Sequence, residues 1–165
     1  MRMMLRRWVE RNRRRREERI AFQAATWLEG LRSVLDLCRA ALQPRAMPGD
    51  LHRELTRIDW RLERVRSAEQ ALKRYLRQRA PALAPDVEEA TGQAFHLRNQ
   101  TTTFFIRWQA FQDANQAGGP MAFLDRREME EALLQANQTS RALAEKLDTL
   151  GPGLRNAVTR HPNRL

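Results

Sequence analysis

The sequence predicts an all-α chain folded as an up-down-up-down four-helix bundle, with a long basic N-terminal helix and a short basic C-terminal tail. Three observations predict it. Apolar residues recur at helical 4-3 spacing in four separate stretches. Breaks rich in Pro and Gly separate those stretches. The one run with strand-like propensity, Thr101 to Ile106, has no second run to pair with.

The first helix is expected near 3–43. Ile20, Ala24, Trp27, Leu28, Leu31, Leu35, Cys38 and Leu42 form an unbroken stripe, and Pro44 stops it. Taken whole, such a helix is roughly 60 Å long, longer than its neighbours. Residues 1–19 are therefore expected to overhang as a basic helical extension. The bundle proper takes 20–150, and 151–165 form a basic tail.

The second helix, near 50–80, carries the clearest stripe: Leu51, Leu55, Ile58, Leu62, Val65, Leu72 and Leu76. Glu69 fills the slot between Val65 and Leu72. Asp50 suits its N-cap and Pro81 its end. The third helix, near 86–116, keeps its spacing through Val87, Ala90, Ala94, Leu97, Thr101, Phe104, Trp108 and Phe111. Asp86, Glu88 and Glu89 suit its positive N-terminal dipole. This helix is so poor in charge that it is expected either to be the most buried or to face a partner. The fourth, near 125–150, repeats the pattern through Met129, Leu133, Ala136, Ser140, Leu143, Leu147 and Leu150. Asp125 with Glu128 approximates a capping box, and Leu124 with Met129 a hydrophobic staple. Gly151-Pro152-Gly153 reads as its stop.

The formal net charge is +10 over 165 residues. Nearly all of the positive charge is Arg, since Lys occurs only at Lys73 and Lys146. Residues 1–80 hold most of the excess. Guanidinium binds phosphate bidentately and stacks on rings, so a cationic face of this kind points to nucleic acid. A single cysteine, Cys38, rules out an intrachain disulfide and fits a reducing, cytoplasmic setting. The N-terminus has charge but no apolar core of a secretory signal. No apolar run reaches membrane-spanning length.

Two groups of residues are candidates for binding. Arg11, Arg13, Arg14, Arg15 and Arg16 form a block on the N-terminal extension. Arg53, Arg57, Arg61 and Arg64 follow one another along the outer face of the second helix, with Trp60 among them and Tyr75 in the same sector. Such a row serves phosphate contacts, and an outward Trp serves stacking on unpaired bases. The two groups are expected to join into a continuous strip. The bland alternative is a solvated charged face with Trp60 resting on Arg stems.

Signs of catalysis are sparse. His52, His96 and His161 have no metal-ligand partners at a suitable spacing, and His96 is expected inside or beside the core. No cofactor motif is present, and Cys38 is expected to be an inert core thiol. Arg155 to His161, with Asn156 directly after the arginine, resembles the Arg-x4–6-His ribonuclease motif of all-helical HEPN domains. That resemblance implies that Arg155 and His161 carry cleavage. Pro162 and the nearby chain end do not match the packed helix such a motif occupies. In size, helicity and basic charge the whole chain resembles the small all-helical subunits of CRISPR effector complexes. Together these features lead us to expect a non-enzymatic, nucleic-acid-binding subunit of a larger assembly that contacts backbone phosphates without base specificity. DNA and RNA are not distinguished. An adaptor bundle meeting an acidic protein is the alternative. Membrane-surface association through residues 1–16, with Met1, Met4, Leu5, Trp8 and Val9 as the apolar patch, is the third. Self-association or a protein partner is expected to cover Trp8, Trp60 and the third helix.

Overall fold

The computed structural model describes the backbone of residues 2–43, 48–118 and 122–159, and the side chains of 7–43, 52–118 and 122–159. Met1, Pro44, Gly119, Pro120 and His161 lie outside the described residues, as do the side chains of Met4, Leu5, Asp50 and Leu51. Four helices follow one another: α1 (Arg2–Ala41), α2 (Pro48–Arg79), α3 (Leu83–Gln116) and α4 (Ala122–Thr159).

Their directions follow from paired residues. Gly30 of α1 faces Val65 of α2. Asp59 of α2 holds Arg98 of α3 through two hydrogen bonds of 2.7 and 2.8 Å, and Lys73 meets Glu88 at 2.7 Å. Arg107 of α3 pairs with Glu128 of α4 at 2.6 Å, while Lys146 binds Asp86 and Glu89. Arg39 of α1 donates to Ser140 of α4 at 2.8 Å, and Arg32 lies 3.8 Å from Asp148. Between α2 and α3, α3 and α4, and α1 and α4 the numbers rise along one helix and fall along the other, which leaves α1 and α2 antiparallel as well. The bundle is therefore antiparallel throughout, α1 beside both α2 and α4.

The core is the four stripes brought together. Trp27, Leu31, Ile58, Leu62, Leu72, Leu97, Leu143 and Leu147 are buried within it. Trp27 crosses the bundle, and its Nε1 donates to Thr91 Oγ1 at 2.9 Å. That hydroxyl in turn donates to the Val87 carbonyl at 3.0 Å, so the buried polar group is satisfied at both ends. Cys38 is fully buried, and loss of solvation pushes its thiol up to about 11, out of reach of the reactive thiolate.

The run Thr101-Thr102-Thr103 is helical. Each hydroxyl donates to the carbonyl four residues earlier, at 2.8, 3.2 and 3.1 Å, which accommodates three β-branched residues in one helix. Gly118, at φ 65°, follows the last turn of α3 in the left-handed conformation that suits a helix end.

Local punctuation was overridden in several places. The fourth helix does not stop at Gly151-Pro152-Gly153; Pro152 lies inside α4. Leu150, Gly151, Leu154 and Val158 are all buried and continue the same stripe, with Leu28 and Leu83 alongside the two glycines. Burial of two further large side chains offsets the cost of Pro and Gly in the helix, about 3 and 1 kcal/mol. What reads as a tail is, through Thr159, a packed last turn of the bundle. The helix starts shift too. α4 begins at Ala122, so Asp125 lies in its first turn and Glu128 reaches Arg107 instead of a capping position. Leu124 is half exposed and makes no staple. α2 begins at Pro48, ahead of Asp50, because Pro suits a first helical turn. α3 begins at Leu83 for the same reason, with Pro85 in its opening turn.

Two orientations also differ. Tyr75 is half-buried against the core rather than projecting among the arginines. His96 is exposed, on a solvent-facing row of α3 with Gly92, Asn99, Thr103 and Ile106. α3 is thus charge-poor without being buried all round.

The two lysines form a clamp around the start of α3. Lys73 bridges Glu69 at 3.7 Å and Glu88, while Lys146 bridges Asp86 and Glu89. Burial pushes the Glu69 carboxyl up, and Lys73 opposes that shift. The hydrogen bond from Lys73 holds Glu88 below the usual carboxylate range.

Three outcomes check this account. A Cβ added at Gly30 would lie 2.5 Å from Val65 Cγ2, whereas one at Gly92 meets nothing within 4 Å. Gly30→Ala should destabilise the protein by about 1–3 kcal/mol through overpacking, and Gly92→Ala should stabilise it by about 0.5–1 kcal/mol, as measured by urea unfolding. Leu154→Ala should cost about 2–5 kcal/mol, where a residue in a loose tail would cost nothing. Replacing Lys73 by Met penalises ionised Glu69 and Glu88 in the folded state only. The loss of stability should be full at neutral pH and should shrink as pH falls through 4.5, where the unfolded chain takes up those protons. An equal loss at both ends of that range would show that Lys73 acts only through packing.

Candidate nucleic-acid interface

The outer face of α2 is built by the same periodicity that builds the core. With Ile58, Leu62 and Val65 turned inward, Arg53, Arg57, Trp60 and Arg64 are turned out and exposed. Arg61 is half-buried beside them. Trp60 remains 56% exposed, with the guanidinium carbons of Arg61 and Arg64 5.3 and 5.0 Å from its ring centroid. These are cation–π contacts, and they hold the ring in a fixed place on the surface. Arg57 also pairs with Glu54 at 2.8 Å.

On α1, Arg11, Arg13, Arg14, Arg15 and Arg16 are all exposed. Arg13 pairs with Glu17 at 3.1 Å. Trp8 and Val9 of the apolar patch are exposed as well.

The structure does not bring these two groups together as one strip. Gly30 is level with Val65, and the helices run in opposite directions, so Arg57 lies about level with Cys38. The Arg11 to Arg16 block is then roughly 33–40 Å further along the axis. The neighbours of that block are Arg74, Arg77 and Arg79 at the end of α2, with Arg79 about level with Arg16. All three are exposed. They went unremarked in the sequence because only the helix pairing reveals that they share an end of the molecule with residues some 60 positions earlier. Arg66, also exposed, lies between the two groups.

Phe22 was missed as well. It is 64% exposed on α1, on the far side of a shallow groove from Trp60. The groove follows the α1–α2 seam, has a volume of about 320 Å³, and is lined by Phe22, Gln23, Thr26, Trp60, Glu63, Arg64 and Ser67 above Ala68. Ser67 Oγ donates to the Glu63 carbonyl at 3.1 Å. The sequence signal was a large apolar residue off the α1 stripe, but the adjacency to Trp60 is tertiary.

Charge is divided between the two halves of the bundle. On α3 and α4, Arg98, Arg107, Arg126, Arg127 and Lys146 all sit in ion pairs. The hydrogen bond to Asp59 holds Arg98 even more firmly protonated. On α1 and α2, no carboxylate among the described residues forms an ion pair with Arg11, Arg14, Arg15, Arg16, Arg53, Arg61 or Arg64.

Among the described residues no group of three or more His, Cys, Asp or Glu side chains could hold a metal ion. Arg155 is exposed on α4, its Nε donating to the Gly151 carbonyl at 3.3 Å, while His161 lies outside the described residues. No described helix is long and apolar enough to cross a membrane. Comparison with protein-family models, curated proteins and solved structures finds no match.

Proposed function

We propose that this protein is a non-enzymatic subunit of a larger assembly that binds the phosphate backbone of nucleic acid through arginines of α1 and α2, without base specificity, in a reducing cytoplasmic setting. The observation that supports this reading most directly is the division of charge. Arg98, Arg107, Arg126, Arg127 and Lys146 of α3 and α4 are engaged by the protein's own carboxylates, whereas among the described residues no carboxylate pairs with exposed Arg11, Arg14, Arg15, Arg16, Arg53 or Arg64 of α1 and α2. Like charges held close together destabilise a compact state, and an external polyanion relieves that repulsion. Guanidinium groups also match phosphate oxygens in fork geometry. The assembly role is supported by apolar side chains left exposed on α3 and α4. Phe123 is 74%, Ile106 63% and Leu134 59% exposed.

The test is binding measured across a range of salt concentrations with nuclease-treated protein. Wild type should bind duplex and single strand, and its affinity should fall linearly with the logarithm of salt concentration. The triple variant Arg11→Ala, Arg14→Ala, Arg15→Ala should bind every sequence more weakly and lose about 0.9 unit of log–log slope per phosphate contact removed. Unchanged helicity by circular dichroism would show that the fold is intact. Absence of any salt-dependent retention would overturn the reading and assign the basic face to an acidic protein.

A further inference from the structure

We infer that the groove between α1 and α2 is a stacking site for an unpaired nucleobase, so that the nucleic acid this protein prefers is single-stranded. The inference rests on the phosphate-binding reading above and adds a substrate class to it.

Three features of the groove carry it. First, its two ends are aromatic and come from different helices. Phe22 and Trp60 are among the most exposed large apolar side chains on the described surface, and both line the same 320 Å³ depression. Neither lies on a core stripe. Planar rings held at the surface offer π-faces to a base, and the contact tolerates any sequence. Second, the charges around the groove are ordered. Arg61 and Arg64 lie against the Trp60 ring, and Arg53 and Arg57 continue along the same helix face. A backbone following that row places its phosphates on guanidiniums while its bases turn toward the seam. Glu63 lines the groove itself, and its carboxylate repels a phosphate from entering. The groove therefore takes the uncharged part of the nucleotide and the row takes the charged part. Third, above Ala68 the groove is lined by the polar side chains of Gln23, Thr26 and Ser67. These groups offer donors and acceptors to a base edge without filling the space. An acidic peptide would satisfy the arginines but would leave the two exposed aromatic rings along the groove unused. In a duplex the base faces are already stacked, so a duplex gains only the phosphate contacts.

The experiment compares a labelled single strand, a duplex of the same length and an abasic strand bearing phosphates without bases. Each is titrated against wild type, Phe22→Ala, Trp60→Ala and Trp60→Phe. Both side chains are largely exposed, so their removal leaves the core untouched; circular dichroism checks this. Phe22→Ala and Trp60→Ala should each weaken the single strand about ten-fold and leave duplex and abasic strand within about two-fold. Trp60→Phe should recover most of the loss, and the salt dependence should not change in any of these variants. Equal losses for strand and duplex, or no loss for either, would overturn the stacking site while leaving the phosphate-binding reading in place. If wild type binds none of the three, both proposals fall.

Discussion

The missing side chain at Gly30 is the constraint on which the arrangement of α1 and α2 depends. Val65 occupies the place where a Cβ would stand, so the two backbones approach more closely there than side chains would otherwise allow. That contact fixes which levels of the two helices face one another. One turn away on α1, Trp27 enters the interior and reaches Thr91 on the diagonal helix. On the outside of the same seam, Phe22 and Trp60 come to flank a single groove. The core hydrogen bond and the candidate site are two consequences of one close approach.

Electrostatics divides the molecule in the other direction. Much of the charge on α3 and α4 is paired, within α4 through Arg126–Glu130 and Arg127–Glu131 and between the two helices through Arg107–Glu128. These exposed pairs add little stability individually. Their main effect is to leave that half with little external field. The α1–α2 half keeps its field because many of its arginines lack such partners. Coulomb repulsion among them falls with ionic strength over a Debye length of about 8 Å, so the asymmetry is steepest at low salt.

Much of the fold was legible because helix periodicity is a long-range average. A stripe such as Leu55, Ile58, Leu62 and Val65 survives any single misleading residue. Boundaries were less legible because they rest on one or two residues. Gly151-Pro152-Gly153 carries a strong local stop signal, yet Leu154 and Val158 extend the stripe, and packing outweighed propensity. The same holds at Asp125, where a plausible cap became an interior residue once Ala122 had started the helix. The candidate site was half legible. Trp60 and its flanking arginines follow from the angular position of residues on a single helix. Phe22 and Arg79 do not, because their relation to Trp60 and Arg16 exists only after α1 and α2 are aligned. Tyr75 shows the limit from the other side: its angle on α2 falls in the arginine sector, yet it is half-buried and packs against the core.

The clamp at the start of α3 has a chemical consequence. Both lysine side chains of this protein are committed there, each mostly covered and each held between carboxylates. The hydrogen bond to Glu89 keeps Lys146 protonated beyond the usual lysine range, and a protonated amine is not a nucleophile. Covered and held in these ion pairs, the two lysines of the folded chain would be masked from acylating agents, whether enzymes or amine-directed reagents. Their reaction would mark opening of the bundle at the start of α3, while the arginine face stayed chemically silent to them.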